Sequence, residues 1–235
     1  MPVRFQPVEL APLTIYRHPI ANERYTIGID TATGVGQDYT VMQVLSNRLP
    51  FSQDATFRAK LSVVDAAEVA YKLGTFYNDA LIVCETNYPG NAVQDALIMQ
   101  YRYPHNYQAE ERLDEDPSIS CKYGFKTTQA SKWLLIRELE EALKSNDIIL
   151  RDKNTIEELM NYLYIEDKTK TGAVQGGNDD AAIAVMLAVH GCLLLPVRTK
   201  PQEQNLRENY TQQKAMMDRF IKSLQLNQEP QRIIL

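Results

Sequence analysis

Apolar side chains alternate at Tyr25, Ile27 and Ile29 and lead into Asp30; after a Thr/Gly-rich turn, a second strand-like stretch runs from Tyr39 to Leu45. Period-two alternation on both sides of a turn predicts a β-hairpin. It leaves a carboxylate at the strand end, where buried sheet meets solvent. Arg58 to Val64 reads as a third strand, following a polar loop over 46–57. Asp65 is placed to cap a helix whose Ala66, Val69, Ala70, Leu73 and Phe76 share one side. The continuous apolar run from Ala80 to Cys84, ending on Glu85, predicts a strand covered on both faces.

Turn chemistry from Thr86 to Asn91 then precedes a helix over 92–100. Residues 101–120 are tyrosine-rich, then acidic, and predict an exposed irregular loop. Thr127 or Thr128 caps a helix reaching about Ser145, with Trp133, Leu134, Ile136, Leu139 and Leu143 expected inward. A short strand at 148–150 and a short helix over 155–161 follow, and a hairpin is expected around Thr169-Lys-Thr-Gly172. Asn178-Asp-Asp180 opens a strongly apolar helix, 181–195, closed by Pro196. Strands first, then alternating helix and strand, predict an α/β fold with a mixed sheet.

The 235 residues suit one domain with extensions: a proline-bearing extended lead-in over 1–21, a core over 22–198, and a Gln/Asn-rich polar tail over 199–235. With 44% hydrophobic and 23% charged residues the chain is expected to be globular. No run approaches the roughly 18 apolar residues of a membrane span, so no membrane partner is expected and the cytoplasm is the expected compartment. Cys84, Cys121 and Cys192 are odd in number and lack CxxC spacing, so they read as small core residues rather than a disulfide or zinc framework. The net charge of −5 does not advertise nucleic-acid binding. Its placement is uneven, however: acid concentrates over 110–116, and Lys122, Lys126, Lys132, Arg137 and Lys144 follow, with Lys168 and Lys170 farther on. An acidic chain can carry a basic face, although each lysine taken singly is as well explained as solvated surface.

Three acids stand out by position. Asp30 ends the first strand, Glu85 ends the buried strand, and Asp179 or Asp180 starts the last core helix. Ligand sites of open sheets gather beyond strand ends, and carboxylates collected there without matching bases repel one another. A divalent cation resolves that conflict. Mg²⁺ or Mn²⁺ takes oxygen ligands, and a pair of such ions about 4 Å apart can activate a water and stabilise the leaving oxygen of a phosphodiester. Taken separately, Asp179 and Asp180 are simply helix caps, Glu85 a loop edge and Asp30 a cap of its own turn. Their joint occurrence on three element ends favours the metal site. His190 lies on an apolar helix and reads as a packed core residue, and no GxSxG supports a serine hydrolase.

Ile27-Gly-Ile-Asp30 with Gly36-Gln-Asp38-Tyr39, Val83-Cys-Glu85-Thr-Asn87 with Gly90, Tyr123-Gly-Phe125 before Thr127-Thr128 and Lys132, and Asn178-Asp-Asp180 with Ala181 and Ala184 occur in this order. Together they resemble the C-terminal nuclease domain of tailed-bacteriophage terminase large subunits, with an RNase H-like mixed central sheet flanked by helices. The resemblance spans about residues 22–195. It implies a metal-dependent endonuclease that cuts concatemeric viral DNA during genome packaging, with little sequence specificity, in the cytoplasm of an infected bacterial host. It implies Asp30, Glu85 and Asp180, ahead of Asp179, as catalytic metal ligands for two Mg²⁺ or Mn²⁺ ions, with Asp38 as an auxiliary acid. Lys168 and Lys170 would lie beside double-stranded DNA, Lys126 and Lys132 would neutralise flanking phosphates, and the tail would dock on portal or procapsid, with the small terminase subunit as a further partner. The sequence contains no GxxxxGK[ST], so the ATPase motor preceding this domain in the family is expected either to have been separated from it or to be another polypeptide. Two rivals remain: an actin-like ATPase or sugar-kinase fold using the Asp30 loop for nucleotide phosphates, and a non-catalytic packaging module that docks through its tail.

Overall fold

The computed structural model describes residues 8–10, 12–32, 39–112, 119–163, 179–196 and 219. The chain divides into Met1–Thr199 and Lys200–Leu235, and the elements below belong to the first unit. Its centre is a seven-stranded sheet. Strand β3 (Tyr25–Asp30) pairs antiparallel with β4 (Thr40–Ser46), and β4 with β5 (Phe51–Ala59). On its other side β3 pairs parallel with β6 (Leu81–Cys84). The outer edge of β5 is shared by β2 (Leu13–Ile15), which carries β1 (Val8–Leu10), and by β9 (Ile148–Ile149). Residues 8–15, within the expected lead-in, thus add two strands to the sheet.

Helices α1 (Val63–Phe76) and α2 (Gly90–Met99) cover one face. On that side Tyr25 of β3 meets Tyr77, the C-cap of α1, edge to face at 5.0 Å between ring centroids. Helices α3 (Gln129–Lys144), α4 (Lys153–Leu163) and α5 (Asp180–Leu194) occupy the other face. Every residue of α5 from Ala181 to Cys192 is buried, which is why its sequence is apolar all round rather than striped. Two glycines let α5 lie directly on the sheet. A Cβ on Gly28 of β3 would come within 2.0 Å of the Ala184 carbonyl oxygen, and one on Gly191 within 2.3 Å of Thr26 Cγ2.

Several expectations are corrected. The third strand is 51–59, not 58–64. Its Ser52, Gln53, Asp54 and Thr56 are buried, and polar residues there look loop-like in sequence although Ser52, Gln53 and Thr56 find partners elsewhere in the fold. Gln53 Nε2 donates to Gln43 Oε1 at 2.8 Å, and Arg151 donates to Ser52 Oγ at 2.6 Å. Helix α1 begins two residues before Asp65 and is capped by Ser62, whose Oγ accepts from the Asp65 N–H. The expected loop over 101–120 contains half of a two-stranded sheet, β7 (Gln108–Arg112) paired with β8 (Ile119–Tyr123). The buried stripe of α3 is Leu135, Ile136, Leu139 and Ala142, so Trp133, at 44% exposure, and Leu143 face outward. Cys84 and Cys192 are buried free thiols. The expected hairpin around 169–172 falls in 164–178, outside the described residues.

Candidate active site

The register of the parallel pair builds the site. Ile29 stands opposite Cys84, so the next residues, Asp30 and Glu85, leave neighbouring strands side by side. Strand alternation puts Asp30 on the face shown by Gly28, and Glu85 on that shown by Val83. Both of those residues touch α5. The start of α5 then delivers Asp179 and Asp180 to the same end of the sheet. All four acids are half-buried.

Their charges act on one another. Asp30 is pushed well above the usual carboxylate range by burial, by the Glu85 charge and a side-chain hydrogen bond with Glu85, and then by the charges of Asp180 and Asp179. Two carboxyls that share a hydrogen bond retain a proton between them. Asp180 is raised to about 6, first by burial and then by Glu158 and Asp179; the Tyr39 N–H and the Arg58 charge act the other way. Among the described residues, the ion pair made to these four acids is Lys132 Nζ to Asp179 at 3.8 Å. The same ammonium lies 5.3 Å from the centre of the Tyr162 ring.

Glu85 and Asp180 are held by named donors. Asn87 Nδ2 donates to Glu85 Oε1 at 3.1 Å and to the Thr127 carbonyl at 3.0 Å, tying the acid to the start of α3. The Tyr39 N–H, where the chain enters β4, donates to Asp180 Oδ2 at 3.2 Å. The simple capping explanation for the two aspartates fails here. Asp179 is the N-cap of α5 and makes no side-chain cap bond. That service comes from Glu158 of α4, whose Oε2 accepts from Ala181 N at 2.7 Å and, more weakly, from Ala182 N at 3.4 Å.

A metal is a test of this donor set. Among the described residues no three His, Cys, Asp or Glu side chains stand arranged to hold an ion as they are. Asp30 is instead engaged with Glu85. The chemistry nonetheless fits a hard cation: these are oxygen donors, collected at a strand-end site, and their mutual repulsion is what an ion between them would relieve.

Of the other residues singled out from sequence, Lys132 joins the cluster, whereas Lys126 is exposed just before α3. Asp38, Lys168 and Lys170 lie outside the described residues. Tyr88 is 81% exposed two residues after Thr86, and Tyr101 stacks on Tyr71 of α1 at 4.8 Å, on the opposite face of the sheet. His190 is buried, as expected, with Nδ1 2.9 Å from Glu138 Oε2 and its ring against Phe125 and Tyr107. Sequence reasoning missed the role of Tyr39, which stood in the Gly36-Gln-Asp38-Tyr39 motif and contributes a backbone N–H, and missed Arg58 and Glu158 altogether. Glu158 lies within α4, far in sequence from the acids, and Arg58 lies near the end of β5, brought beside them only by the register that sets it opposite Val41, itself opposite Asp30. Asn87 stood inside the Glu85-Thr-Asn87 motif.

Comparison with known proteins agrees with this architecture. No curated protein sequence matches the chain. Among solved structures, the large terminase nuclease from thermophilic phage G20c, with bound cobalt, superposes with a TM-score of 0.62 at 19% identity, covering 78% of this chain and 89% of that one. The same nuclease with bound magnesium gives 0.62 at 18%, over 78% and 89%. The large terminase nuclease domain of Thermus phage P74-26 gives 0.57 at 18%, over 75% and 84%. The terminase RNaseH-like domain family matches residues 27–191, a span that opens within β3 just ahead of Asp30 and closes near the end of α5, and the chain belongs to that family.

Proposed function

We propose that this chain is the nuclease of a viral genome-packaging machine, a metal-dependent endodeoxyribonuclease that cuts concatemeric double-stranded DNA with little sequence specificity. The observation that carries this is the gathering of Asp30, Glu85, Asp179 and Asp180 at one end of the β3–β6 pair, where burial and then its acidic neighbours push Asp30 well above the usual carboxylate range. Asp30, Glu85 and Asp180 are the ligands of one or two Mg²⁺ or Mn²⁺ ions, with Asp179 beside them and Asp38 as an auxiliary acid. Family membership supports the nuclease role, and the magnesium and cobalt carried by structures of the same fold support a divalent ion. When bound, such ions supply an activated water and charge stabilisation for in-line displacement at phosphorus.

The protein's own groups do the rest. Asn87 keeps Glu85 turned toward the site, and the Tyr39 N–H keeps Asp180 there. Asp30, pushed well above the usual carboxylate range by burial and its acidic neighbours, must ionise for a cation to bind, because carboxylate ligands are held ionised. Lys132, paired with Asp179 at 3.8 Å, meets a phosphate of the strand. Lys126, Lys168 and Lys170 supply further phosphate contacts, which hold duplex without reading its bases. The nuclease domain runs over 22–198. The segment 199–235 docks on the portal or procapsid, the small terminase subunit is a further partner, and the chain works in the cytoplasm of the infected bacterium.

The test is cleavage of supercoiled plasmid by purified protein in Mg²⁺, Mn²⁺ or EDTA, beside Asp30→Asn. Nicking and linearisation that require metal and disappear in the variant are expected. Absence of cleavage with every metal refutes the proposal, and ATP binding in that case would favour the actin-like alternative. A truncation lacking 199–235 is expected to cut normally.

A further inference from the structure

The start of α5 is held by a chain of contacts drawn from three other elements. Glu158 of α4 accepts from the first free N–H groups of α5 through Oε2, and through Oε1 it takes the Arg58 guanidinium of β5 at 2.6 Å. Arg58 in turn lies over the Tyr39 ring, 4.6 Å from its centre. Tyr39 donates its own N–H to Asp180 Oδ2. The loop closes on itself: Asp180 is gripped from the sheet through Tyr39, while its helix is gripped from α4 through Glu158, and Arg58 joins the two grips. The side chains of Arg58 and Glu158 are only 22% and 11% exposed, so the pair is not a screened surface contact.

A helix start needs acceptors for its first N–H groups, and its own N-cap side chain ordinarily provides one. Here the cap residue is an aspartate that makes no such bond. Importing the acceptor from α4 leaves two consecutive carboxylates at the helix start uncommitted to capping. Asp179 turns to Lys132 and Asp180 to the Tyr39 N–H.

We propose that Glu158, clamped by Arg58, is the positioning residue of the metal site: it relieves Asp179 and Asp180 of capping and keeps Asp180 at the end of the sheet where Asp30 and Glu85 lie. This rests on Asp180 being a metal ligand. Outer-shell partners of metal ligands commonly govern metal affinity by about 10- to 100-fold, and Glu158 acts on Asp180 through the α5 backbone and through Arg58 and Tyr39. Glu158 itself does not touch the reacting atoms.

The experiment is calorimetric titration of Mn²⁺ into the full chain, run beside the Mg²⁺ concentration dependence of plasmid cleavage. The variants are Glu158→Ala, Glu158→Gln and Arg58→Lys, each first checked for native circular dichroism and melting temperature. Glu158→Ala is expected to weaken Mn²⁺ binding about 10-fold or more and to raise half-saturating Mg²⁺ to match. Glu158→Gln keeps an acceptor oxygen for the Ala181 N–H and is expected to restore part of the affinity. Arg58→Lys keeps the charge but loses the planar stack on Tyr39, and is expected to fall between wild type and Glu158→Ala. A lowered melting temperature with unchanged Mn²⁺ affinity in the folded variants would make Glu158 a structural cap only and overturn the proposal. Should Glu158→Ala fail to fold, unchanged Mn²⁺ affinity in both Glu158→Gln and Arg58→Lys overturns it equally. Wild-type protein that binds no Mn²⁺ would instead refute the metal-site reading on which it rests.

Discussion

Replacing Asp180 with asparagine should make the metal-free protein more stable while destroying its function. Asp180 is raised from an ordinary 3.8 to about 6, with burial the leading cause. An acid whose folded pKa is raised binds its proton more tightly in the folded state, so its ionisation opposes folding. The cost is absent below about pH 4, grows between pH 4 and 6, and is complete above that window. A rise of about two units corresponds to about 3 kcal/mol at most. Because the side chain is only half-buried, solvent screening reduces this to about 1 kcal/mol. Asparagine keeps an oxygen for the Tyr39 N–H and removes the charge. In EDTA at pH 8, Asp180→Asn should therefore melt about 2–4 °C above wild type, as expected for about 1 kcal/mol in a domain of this size. The advantage should shrink as pH falls toward 5. Added Mg²⁺ should reverse the order, since a ligand at about 100 times its Kd stabilises wild type by about 2.7 kcal/mol and the variant far less. Differential scanning fluorimetry over pH 5–8, with and without Mg²⁺, reads all of this. A variant less stable than wild type in EDTA at pH 8, or one showing the full metal-induced shift, would refute the reasoning.

Gly28→Ala should cost about 3 kcal/mol or more in urea unfolding, because the new methyl would overlap the α5 backbone at Ala184 rather than a movable side chain; if it unfolds like wild type, α5 does not lie as close to β3 as described. Mn²⁺ affinity should rise with pH, since Asp30 must lose a proton held well above the usual carboxylate range, and calorimetry in buffers of different ionisation enthalpy should detect the released proton. Alanine at both Lys168 and Lys170 should weaken duplex binding across all sequences and reduce the slope of log K against log salt by about 2. An unchanged slope would remove those lysines from the DNA interface.

How far the sequence can be read depends on where each residue finds its partners. Strand β3 and helix α5 are legible because their apolar patterns reflect burial against everything around them. Strand β5 is not, because the residues that would mark it as buried are polar: Gln53 and Ser52 are satisfied by Gln43 and Arg151, from β4 and from the segment between β9 and α4. Periodicity alone misplaces the stripe of α3 because large apolar residues occur on more than one of its faces, and only packing against α5 selects Leu135 and Leu139 over Trp133 and Leu143. The acids of the site are legible as element ends. The devices that hold them are not. Glu158 meets Ala181 across 23 positions, and Tyr39 meets Asp180 across 141, and neither pairing leaves a local trace.

The most direct test of the metal site is anomalous diffraction from crystals soaked in Mn²⁺. One or two manganese peaks are expected between Asp30 and Glu85 at the ends of β3 and β6, with the Asp180 carboxylate as a further ligand and the Asp30–Glu85 hydrogen bond broken. Manganese bound elsewhere, or no peak at this end of the sheet while that hydrogen bond persists, would contradict the proposed nuclease centre.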